Sequence, residues 1–513
     1  MTSDVRQLEQ SSITPESGVL VYSANFLHAM RDSGYRTSAF AIAELVDNAI
    51  QAEASRIVVD VVDTGDREFP VEVMVIDDGI GLDHQALSSA LAFGGTTRFG
   101  SRSSLGRYGM GLPNGSITVA RRVEVYTWSR NQILRTHLDL DEFIEGRQEV
   151  LPVVECGKRP PFIPKTKRGT AVRLTRCDRL EYRRASTIAQ RLVEEFGRIY
   201  RRFLGAGIEM EINGTRVARF DPLFLDSHQQ EGGVQFGDTL YYQLSDGGLT
   251  GQMEVRFSEL PVERWHDLPA PEKRRLGISN GPVMSIVRSG REIDRGWWFM
   301  GSKRRENYDD WWRCEVSFEP ALDELFGITH TKQGITPRSD LLATLVPDLE
   351  PIARALNKRV RQRFEQVKLA RSLSPVERQA ARAEPALPRL PRRPHAQAPE
   401  VQALIDDLPS APSDCRLPYR VVVAELPTTA AFEVVRRGEQ LILLVNARHP
   451  LYRDLCGPLT TSESETDQKV GKQIMLTILA AARAEASGSQ SGSAELHRFR
   501  HTWGDVLATF FNA

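Results

Sequence analysis

Apolar residues recur at helical spacing between positions 39 and 50, in the stretch "AFAIAELVDNAIQ". The opposite face of that helix carries only polar side chains, which are Glu44, Asp47, Asn48 and Gln51. Thr37 or Ser38 can cap its first turn. Glu44 and Asn48 lie one turn apart, so a carboxylate and an amide point in the same direction. An ordinary solvated face would give the same pattern, and the rest of the chain must decide between the two.

The next segments alternate between strand and helix patterns. "RIVVDVV" and "VEVMVID" predict a hairpin of two β-branched strands, and a helix is predicted over residues 83–92. The Gly-, Ser- and Thr-rich stretch "FGGTTRFGSRSSLGRYGMG" is too long for a simple connector, which indicates a lid over a site. "RRVEVYTWS", "ILRTHLDL" and "GTAVRLTR" predict further strands. The alternation predicts an α/β protein whose first domain, residues 1–182, is a two-layer α/β sandwich.

A second domain of α+β type is predicted over residues 183–372. It opens with a helix over 183–204 and a hairpin at Asn213-Gly214, and it closes with a helix over 349–369. Residues 373–400 are rich in Pro, Ala and Arg and are predicted to be a linker. Strand patterns and a helix over 467–486 predict a small C-terminal α/β domain, residues 401–513, as a candidate for dimerisation.

Charge and cysteine content narrow the function classes. Lys plus Arg total 66 against 67 for Asp plus Glu, so no global field attracts nucleic acid or a membrane. The 5 cysteines show no CxxC spacing, which argues against a zinc site and a disulfide framework. The N-terminal stretch has no signal-peptide pattern, and no long apolar run follows. We expect a cytoplasmic protein that does not enter a membrane.

Two glycine-containing motifs follow the first helix. In "DDGIG", Asp77 ends a strand, and Gly79 and Gly81 allow a planar ligand to approach the backbone. "GRYGMG" places Gly106, Gly109 and Gly111 directly before a helix, whose free amides suit a polyphosphate. Its GxxGxG spacing differs from the dinucleotide-binding GxGxxG, and GxxxxGK[ST] is absent.

The helical ExxxN, the strand-terminal DxGxG, the pre-helix GxxGxG and "GT" at 169–170 together resemble the ATP-binding motifs of the GHKL superfamily. This superfamily contains gyrase, heat-shock chaperones, histidine kinases and MutL, and the resemblance implies the Bergerat ATP-binding fold with ATP and Mg²⁺ as ligands. By the same resemblance Glu44 is the general base, Asn48 ligates Mg²⁺ and Asp77 accepts from the adenine amino group with support from Thr170. Gly79 and Gly81 are expected to bind ATP beside Asp77. The expected phosphate-binding residues of the lid region are Thr96, Arg98, Gly106, Gly109 and Gly111. Gln51 departs from the Asp that MutL and heat-shock relatives have.

The resemblance extends beyond the nucleotide-binding motifs. "GITHTKQGI" resembles the transducer loop of gyrase-like and MutL-like proteins, whose lysine reaches the γ-phosphate, and Lys332 is the match. "RSGREIDRGWWF" and "WWRCEVSFEPALDELFG" are similar to MORC-type ATPases and their bacterial relatives. The likeness covers roughly residues 20 to 370, so Lys332 is expected to act with Glu44 in catalysis.

This resemblance implies a Mg²⁺-dependent ATPase whose nucleotide state drives closure of a homodimer. We expect a MORC/MutL-like clamp on duplex DNA, in bacterial genome or antiviral defence, with protein partners encoded in the same operon. The alternatives are a heat-shock-type chaperone that clamps a client protein and the ATPase subunit of a type IIB topoisomerase. Candidate DNA contacts are Arg201 and Arg202, Lys303 to Arg305, and residues 357–363. No metal-ligand cluster resembling the MutL endonuclease motif is evident in the tail, so no nuclease is expected.

Overall fold

The structure is a computed structural model, and it describes most of the chain. The described residues are 23–32, 34–95, 110–129, 132–148, 150–226, 232–279, 281–328, 333–388, 390, 417–487 and 490–512. The chain forms two compact units, residues 1–357 and 358–513. None of the described helices combines the length and apolar character that a membrane span requires.

The first unit begins with a mixed, eight-stranded sheet. Its strands are β1 (Arg56–Asp63), β2 (Val71–Asp77), β3 (Ala120–Ser129), β4 (Gln132–Asp139), β5 (Val154–Glu155), β6 (Arg168–Cys177), β7 (Glu209–Ile212) and β8 (Thr215–Arg216), in the order β5-β4-β3-β6-β2-β1-β7-β8. The helices of this part are α1 (Ser23–Asp32), α2 (Ser38–Gln51), α3 (His84–Ser89), α4 (Gly111–Val119), α5 (Leu140–Ile144), α6 (Ala185–Ile199) and α7 (Arg201–Gly205). Ile57, Val59 and Val61 alternate along β1 and are buried in the core shared with α2 and α6. The predicted two-layer α/β sandwich is therefore confirmed.

The first sheet extends past the predicted boundary at residue 182. β7 pairs in parallel with β1, and β8 continues the sheet as the second strand of the Asn213-Gly214 hairpin. Both turn residues have positive φ, as that hairpin requires. The hydrophobic core of the first sheet also includes residues of α6, such as Phe196. The strand pairing thus corrects the predicted start of the second domain at residue 183, because residues through Arg216 belong to the first sheet.

A second sheet completes the first unit. Its strands are β9 (Val234–Gln235), β10 (Leu240–Asp246), β11 (Leu249–Glu259), β12 (Met284–Arg288), β13 (Arg291–Gly296) and β14 (Trp312–Phe318), in the order β10-β11-β14-β12-β13 with β9 beside β11. The accompanying helices are α8 (Val262–Trp265), α9 (Ala270–Arg275), α10 (Asp323–Phe326) and α11 (Ser339–Ala383). Trp312 is buried in this core, and its indole N–H donates to Asp309 and Asn357. This environment agrees with a packing role for Trp312.

Helix α11 is longer than the predicted helix over 349–369. Leu341 and Leu345 continue the apolar repeat before the predicted start, and they pack into the core of the second sheet. Beyond Leu369, Leu373 and Val376 are buried in the core of the second unit. Residues 373–383 are therefore helical, which corrects the first part of the predicted linker 373–400, and residues 391–400 lie outside the described residues.

The second unit contains a three-stranded sheet. Its strands are β15 (Tyr419–Ala424), β16 (Phe432–Arg437) and β17 (Gln440–Asn446), in the order β15-β17-β16, and its helices are α12 (Gly457–Thr461), α13 (Glu465–Ser487) and α14 (Gln490–Asn512). The three strands and α13 agree with the prediction of a small α/β domain, whereas α14 is not among the helices predicted from the sequence. Helix α14 exposes apolar side chains at alternating spacings of three and four residues: Leu496, Phe499, Trp503, Val506 and Phe510.

Candidate ATP-binding site

Helix α2 directs its polar face into the protein. Thr37 caps the helix, with its side chain accepting from the backbone N–H of Phe40. Glu44 is only 2% exposed, and Asp47 is fully buried. Burying a charged carboxylate is unfavourable unless other groups compensate for lost hydration. The solvated-face alternative is therefore excluded for Glu44 and Asp47.

Glycines of α4 allow it to pack closely against Glu44. A Cβ atom at Gly111 would lie 2.6 Å from Oε2 of Glu44, and one at Gly115 would lie 2.8 Å from the carbonyl oxygen of Ala41. A side chain at Gly111 would displace the carboxylate of Glu44, and one at Gly115 would push α4 away from the backbone of α2. The start of α4, where backbone N–H groups are free of helical partners, is thus held against the carboxylate of Glu44.

Asp47 is surrounded by groups from distant parts of the first unit. The hydroxyl of Tyr200 donates to Oδ1 of Asp47 at 2.9 Å and contacts the carbonyl oxygen of Ala43 at 2.8 Å. Nε of Arg291, from β13 in the second sheet, lies 2.9 Å from the same Oδ1. Burial lowers the pKa of Arg291, but Asp47, Tyr200 and Glu44 outweigh burial and raise it above its usual value. The guanidinium therefore stays charged in a site that water hardly reaches.

Arg291 also connects the second sheet with Glu44. Its Nη2 lies 3.8 Å from Oε1 of Glu44, and only 1% of its side chain is exposed. It follows a turn in which Ser289 and Gly290 both have positive φ. Arg288, at the other side of this turn, is buried against Asp323 in a two-armed ion pair. Arg288 and Arg291, on either side of this turn, are thus buried against different partners.

The DxGxG motif lies where β2 ends, next to the end of α2. The backbone N–H of Gly79 donates to Oδ1 of Asp77 at 2.8 Å, and that of Ile80 donates to the carbonyl oxygen of Ala52 at 2.8 Å. A Cβ atom at Gly79 would lie 2.6 Å from that carbonyl oxygen, and Gly81 has a φ of +75°. The two glycines are therefore required by the turn itself, whatever they contribute to a ligand.

Asp77 is buried beside Thr170. The two residues are cross-strand partners in the antiparallel pair of β2 and β6. Burial raises the pKa of the Asp77 carboxyl to about 6, although hydrogen bonds from the backbone of Gly79 and Thr170 oppose the shift. At neutral pH most of this carboxyl is ionised, and it can accept a hydrogen bond from an amino group.

Several predicted site residues lie outside the described residues. These are Thr96, Arg98, Gly106, Gly109 and Lys332.

Asn48 is described and half-buried, and among the described residues its Nδ2 has no hydrogen-bond partner. An amide that the protein does not fix in place can turn its oxygen toward a ligand, and such an oxygen is a suitable donor for Mg²⁺. The observed surroundings of Asn48 thus fit the metal-binding role that the resemblance implies.

Arg291 and Tyr200 are not among the site residues predicted from the sequence. One signal was available, since "VMSIVRSGREID" places two arginines next to a turn between apolar strands. A charge within a buried strand usually has a buried partner. The sequence alone does not indicate that the partner of Arg291 is Asp47, because Asp47 lies on a helix packed against the first sheet and Arg291 lies in the second sheet.

Most of the predicted DNA-contacting arginines and lysines of the first unit are already engaged. Arg201 is buried against Glu292 and Glu315, and Arg202 contacts Glu315 as well. Lys303 is buried, with its Nζ 2.6 Å from Oδ1 of Asp309. These residues form internal ion pairs, which corrects the prediction that they face DNA. In the third stretch predicted to contact DNA, residues 357–363, the side chains at positions 358, 359 and 361 are exposed.

Comparisons with known proteins agree with this arrangement. The family model described as histidine kinase-, DNA gyrase B- and HSP90-like ATPase matches residues 35–164. Protein MICRORCHIDIA 6 of Arabidopsis thaliana is 34% identical over 119 residues, which cover 22% of this chain and 18% of that protein. ATPase morc-1 of Caenorhabditis elegans is 34% identical over 87 residues, covering 17% of this chain and 10% of that protein. ATPase MORC2 of Homo sapiens is 34% identical over 88 residues, covering 17% and 8%.

The matched region contains α2, the DxGxG turn and the start of α4, and the chain spans less than a fifth of the length of these curated relatives. Glu44, Asn48 and Asp77 all lie within it. Residues 35–164 are therefore similar to ATPases of the histidine kinase, DNA gyrase B and HSP90 class, and part of this region is similar to MORC ATPases.

Proposed function

We propose that this protein hydrolyses ATP and that the nucleotide state controls contact between two copies, which together form a clamp on duplex DNA. In this proposal Glu44 orients a water molecule and takes its proton, since it is a buried carboxylate held against the free backbone amides of α4. Asp77 accepts from the adenine amino group. Asn48 would hold Mg²⁺, which when bound offsets negative charge on the phosphates.

The contact between Arg291 and the face of α2 carries the nucleotide-gating part of the proposal. Arg291 belongs to the second sheet, yet it lies 2.9 Å from Asp47 and 3.8 Å from Glu44. A shift of the second sheet would change the charge beside Glu44, and a change at Glu44 would in turn act on the second sheet. Arg291 is thus a positioning residue through which hydrolysis and domain movement are coupled.

Residues beyond the described ones complete the proposed site. Thr96, Arg98, Gly106 and Gly109 would surround the phosphates, and Lys332 would reach the γ-phosphate from the second domain. These roles rest on the resemblance to GHKL proteins. The resemblance is also the basis for proposing bacterial antiviral defence and operon-encoded partners. The described cysteines, Cys156, Cys177, Cys314 and Cys456, are free thiols, which supports the proposed cytoplasmic location.

The dimer part of the proposal is supported by α14. Its exposed apolar residues recur at three- and four-residue spacing, and Phe499 and Phe510 are 67% and 74% exposed. This is the spacing of a coiled-coil seam, and a second copy of the same helix offers a matching seam. We therefore propose that α14 pairs with α14 of a second copy. ATP-driven contact of the two nucleotide-binding domains would then close a ring.

Retention on DNA tests the clamp. With ATP, the full-length protein is expected to stay on closed circular duplex DNA at raised salt and to leave linear duplex DNA of the same sequence, because a ring slides off free ends. Glu44→Gln should stay longer on circles, since without hydrolysis the ring does not reopen. Equal retention on both forms, or no binding with any nucleotide, would reject the DNA clamp and favour a client protein as the substrate.

A paired variant tests the role of α14 in the clamp. Phe499→Glu combined with Phe510→Glu should shift the mass in light scattering from dimer to monomer and abolish retention on circles, because it places charges in the proposed seam. Tyr241→Glu is the matched control, since Tyr241 is an aromatic residue of the first unit that is 78% exposed. A dimer that survives the double substitution would remove α14 from the proposal.

A further inference from the structure

Strand β16 and helix α14 bring three metal-ligand side chains together in the second unit. These are Glu433 on the strand and His497 and His501 on the helix, and one ligand atom of each lies within 4.8 Å of the other two. The two histidines are one helical turn apart, with ring centroids 4.5 Å from each other. Two histidines four residues apart on a helix are a recurrent arrangement for holding zinc.

The distance between His501 and Glu433 fits two ligands of a common ion better than a direct hydrogen bond. Nε2 of His501 and Oε1 of Glu433 are 3.4 Å apart. Nε2 of His501 is buried and has no hydrogen-bond partner among the described residues. Typical hydrogen bonds between N–H and O span about 2.7–3.2 Å. Two ligands bound tetrahedrally to zinc at ordinary bond lengths lie about 3.3 Å apart.

Arg500 fixes the orientation of the Glu433 carboxylate. One guanidinium nitrogen of Arg500 donates to Oε2 of Glu433 at 2.5 Å, and another donates to Oε1 of Glu485 at 2.5 Å. Oε1 of Glu433 remains directed toward His501. The two carboxylates and one guanidinium leave one net negative charge beside the histidines, which favours a divalent cation. A ligand that is held by a second hydrogen bond is typical of protein metal sites.

We propose that Glu433, His497 and His501 form a binding site for Zn²⁺ or a chemically similar transition-metal ion. Two imidazole nitrogens and one carboxylate oxygen suit such an ion better than Mg²⁺ or Ca²⁺, which prefer oxygen ligands alone. His497 is exposed, so a water molecule can occupy the fourth position. The bound ion joins helix α14 to strand β16 and stabilises the second unit. None of its three residues belongs to the candidate ATP-binding site.

Zinc titration of the metal-stripped, full-length protein tests this site. Without nucleotide, calorimetry should show that one Zn²⁺ binds per chain. His497→Ala and His501→Ala should each lower the zinc affinity by about 100-fold or more, because loss of a group that merely holds a metal ligand can cost that much. Zn²⁺ should also raise the melting temperature of the unaltered chain and not that of the two variants. His84→Ala, which changes an exposed histidine of the first unit, is the control and should bind zinc normally.

Cobalt reports the geometry independently of affinity. Co²⁺ bound to the unaltered chain should give the intense visible absorption of a four-coordinate site, and His497→Ala should lose it. His497 lies on the surface, so this variant is expected to retain the circular dichroism spectrum of the folded protein. Unchanged zinc stoichiometry in both histidine variants, or a weak six-coordinate cobalt spectrum in the unaltered chain, would overturn the assignment.

Discussion

Two adjacent residues of β13, Arg291 and Glu292, enter two clusters of buried charge that differ in character. Glu292 contacts Arg198 and Arg201, and Arg201 in turn contacts Glu315. Burial alone would raise the pKa of Glu315, but the neighbouring arginines outweigh it and hold the pKa far below its usual value. This cluster joins α6 and α7 to the second sheet through side chains that contact one another.

Arg291 enters a cluster of the same burial whose members lie at motif positions. It contacts Asp47 and Glu44 of α2, and Asn48 on the same helix has an amide nitrogen without a partner among the described residues. Burial and ion pairing are therefore similar in both clusters. The difference is that the α2 cluster lies at the motif positions, beside the amide of Asn48, whereas the charges of the Glu292 cluster lie outside the motifs and pair with one another. We infer that the α2 cluster serves turnover and that the Glu292 cluster serves stability.

Replacing the proposed base should have the largest effect on turnover. Glu44→Gln is expected to lower kcat by about 10²–10⁴-fold, because general base catalysis contributes that much. The dissociation constant for ATP should change by less than about threefold, since adenine recognition is assigned to Asp77. Phosphate-release kinetics and equilibrium binding of a fluorescent ATP analogue measure the two quantities. Loss of binding together with turnover would contradict the assigned role.

Breaking the Glu292 cluster should affect stability instead. Glu292→Ala removes a buried counter-charge that Arg198 and Arg201 share, and removing one partner of a buried ion pair costs about 3–5 kcal/mol. Urea unfolding of the full-length chain should show this loss. At temperatures where the variant is still folded, kcat should remain within about threefold of the unaltered value. A large fall in kcat in the folded variant would erase the distinction between the clusters.

Asp77→Asn should raise the stability of the folded protein and weaken its binding of ATP. Its pKa is raised to about 6 in the folded protein, so the unfolded chain ionises first as the pH rises. The free energy of unfolding therefore falls between about pH 4 and pH 6, by up to about 3 kcal/mol. Asp77→Asn should remove this loss and stabilise the protein at pH 7 by about 1–3 kcal/mol, while weakening ATP binding. Melting curves across pH and ATP titrations provide the check.

A surface ion pair should have the smallest effect. Nη2 of Arg295 lies 3.3 Å from Oε1 of Glu195, so this pair also joins β13 to α6, but the arginine is partly exposed. Exposed pairs contribute about 0–1 kcal/mol. Arg295→Ala is therefore expected to leave both the unfolding midpoint and kcat almost unchanged. An effect comparable with that of Glu292→Ala would mean that location at this interface, not burial, determines the cost.

The sequence predicts the elements that carry the ATP-binding motifs, but it does not predict the contacts made by the second sheet. Helix α2 and the β1-β2 hairpin follow from local periodicity, and the cross-strand neighbours Asp77 and Thr170 follow from the motif order. The extension of the first sheet beyond residue 182 is not predictable from local pattern, because the short β7 strand could join either sheet. Arg291 is likewise identified only by tertiary contacts, since its partners on α2 are far away in the sequence. Glu433 and the two histidines of α14 are also far apart in the sequence, so only the structure shows that they lie together.

The coupling between Arg291 and Glu44 is tested most directly by a charge-neutral double variant. Arg291→Met combined with Asp47→Asn removes the buried ion pair as a whole, which largely preserves stability, and it leaves Glu44 without the guanidinium beside it. We predict that kcat falls by about tenfold or more while the ATP dissociation constant changes by less than about twofold, and that Arg291→Lys alone retains more turnover. Arg295→Ala is the matched control. A folded double variant that hydrolyses ATP at the rate of the unaltered protein would contradict the proposed link between the second sheet and the catalytic base.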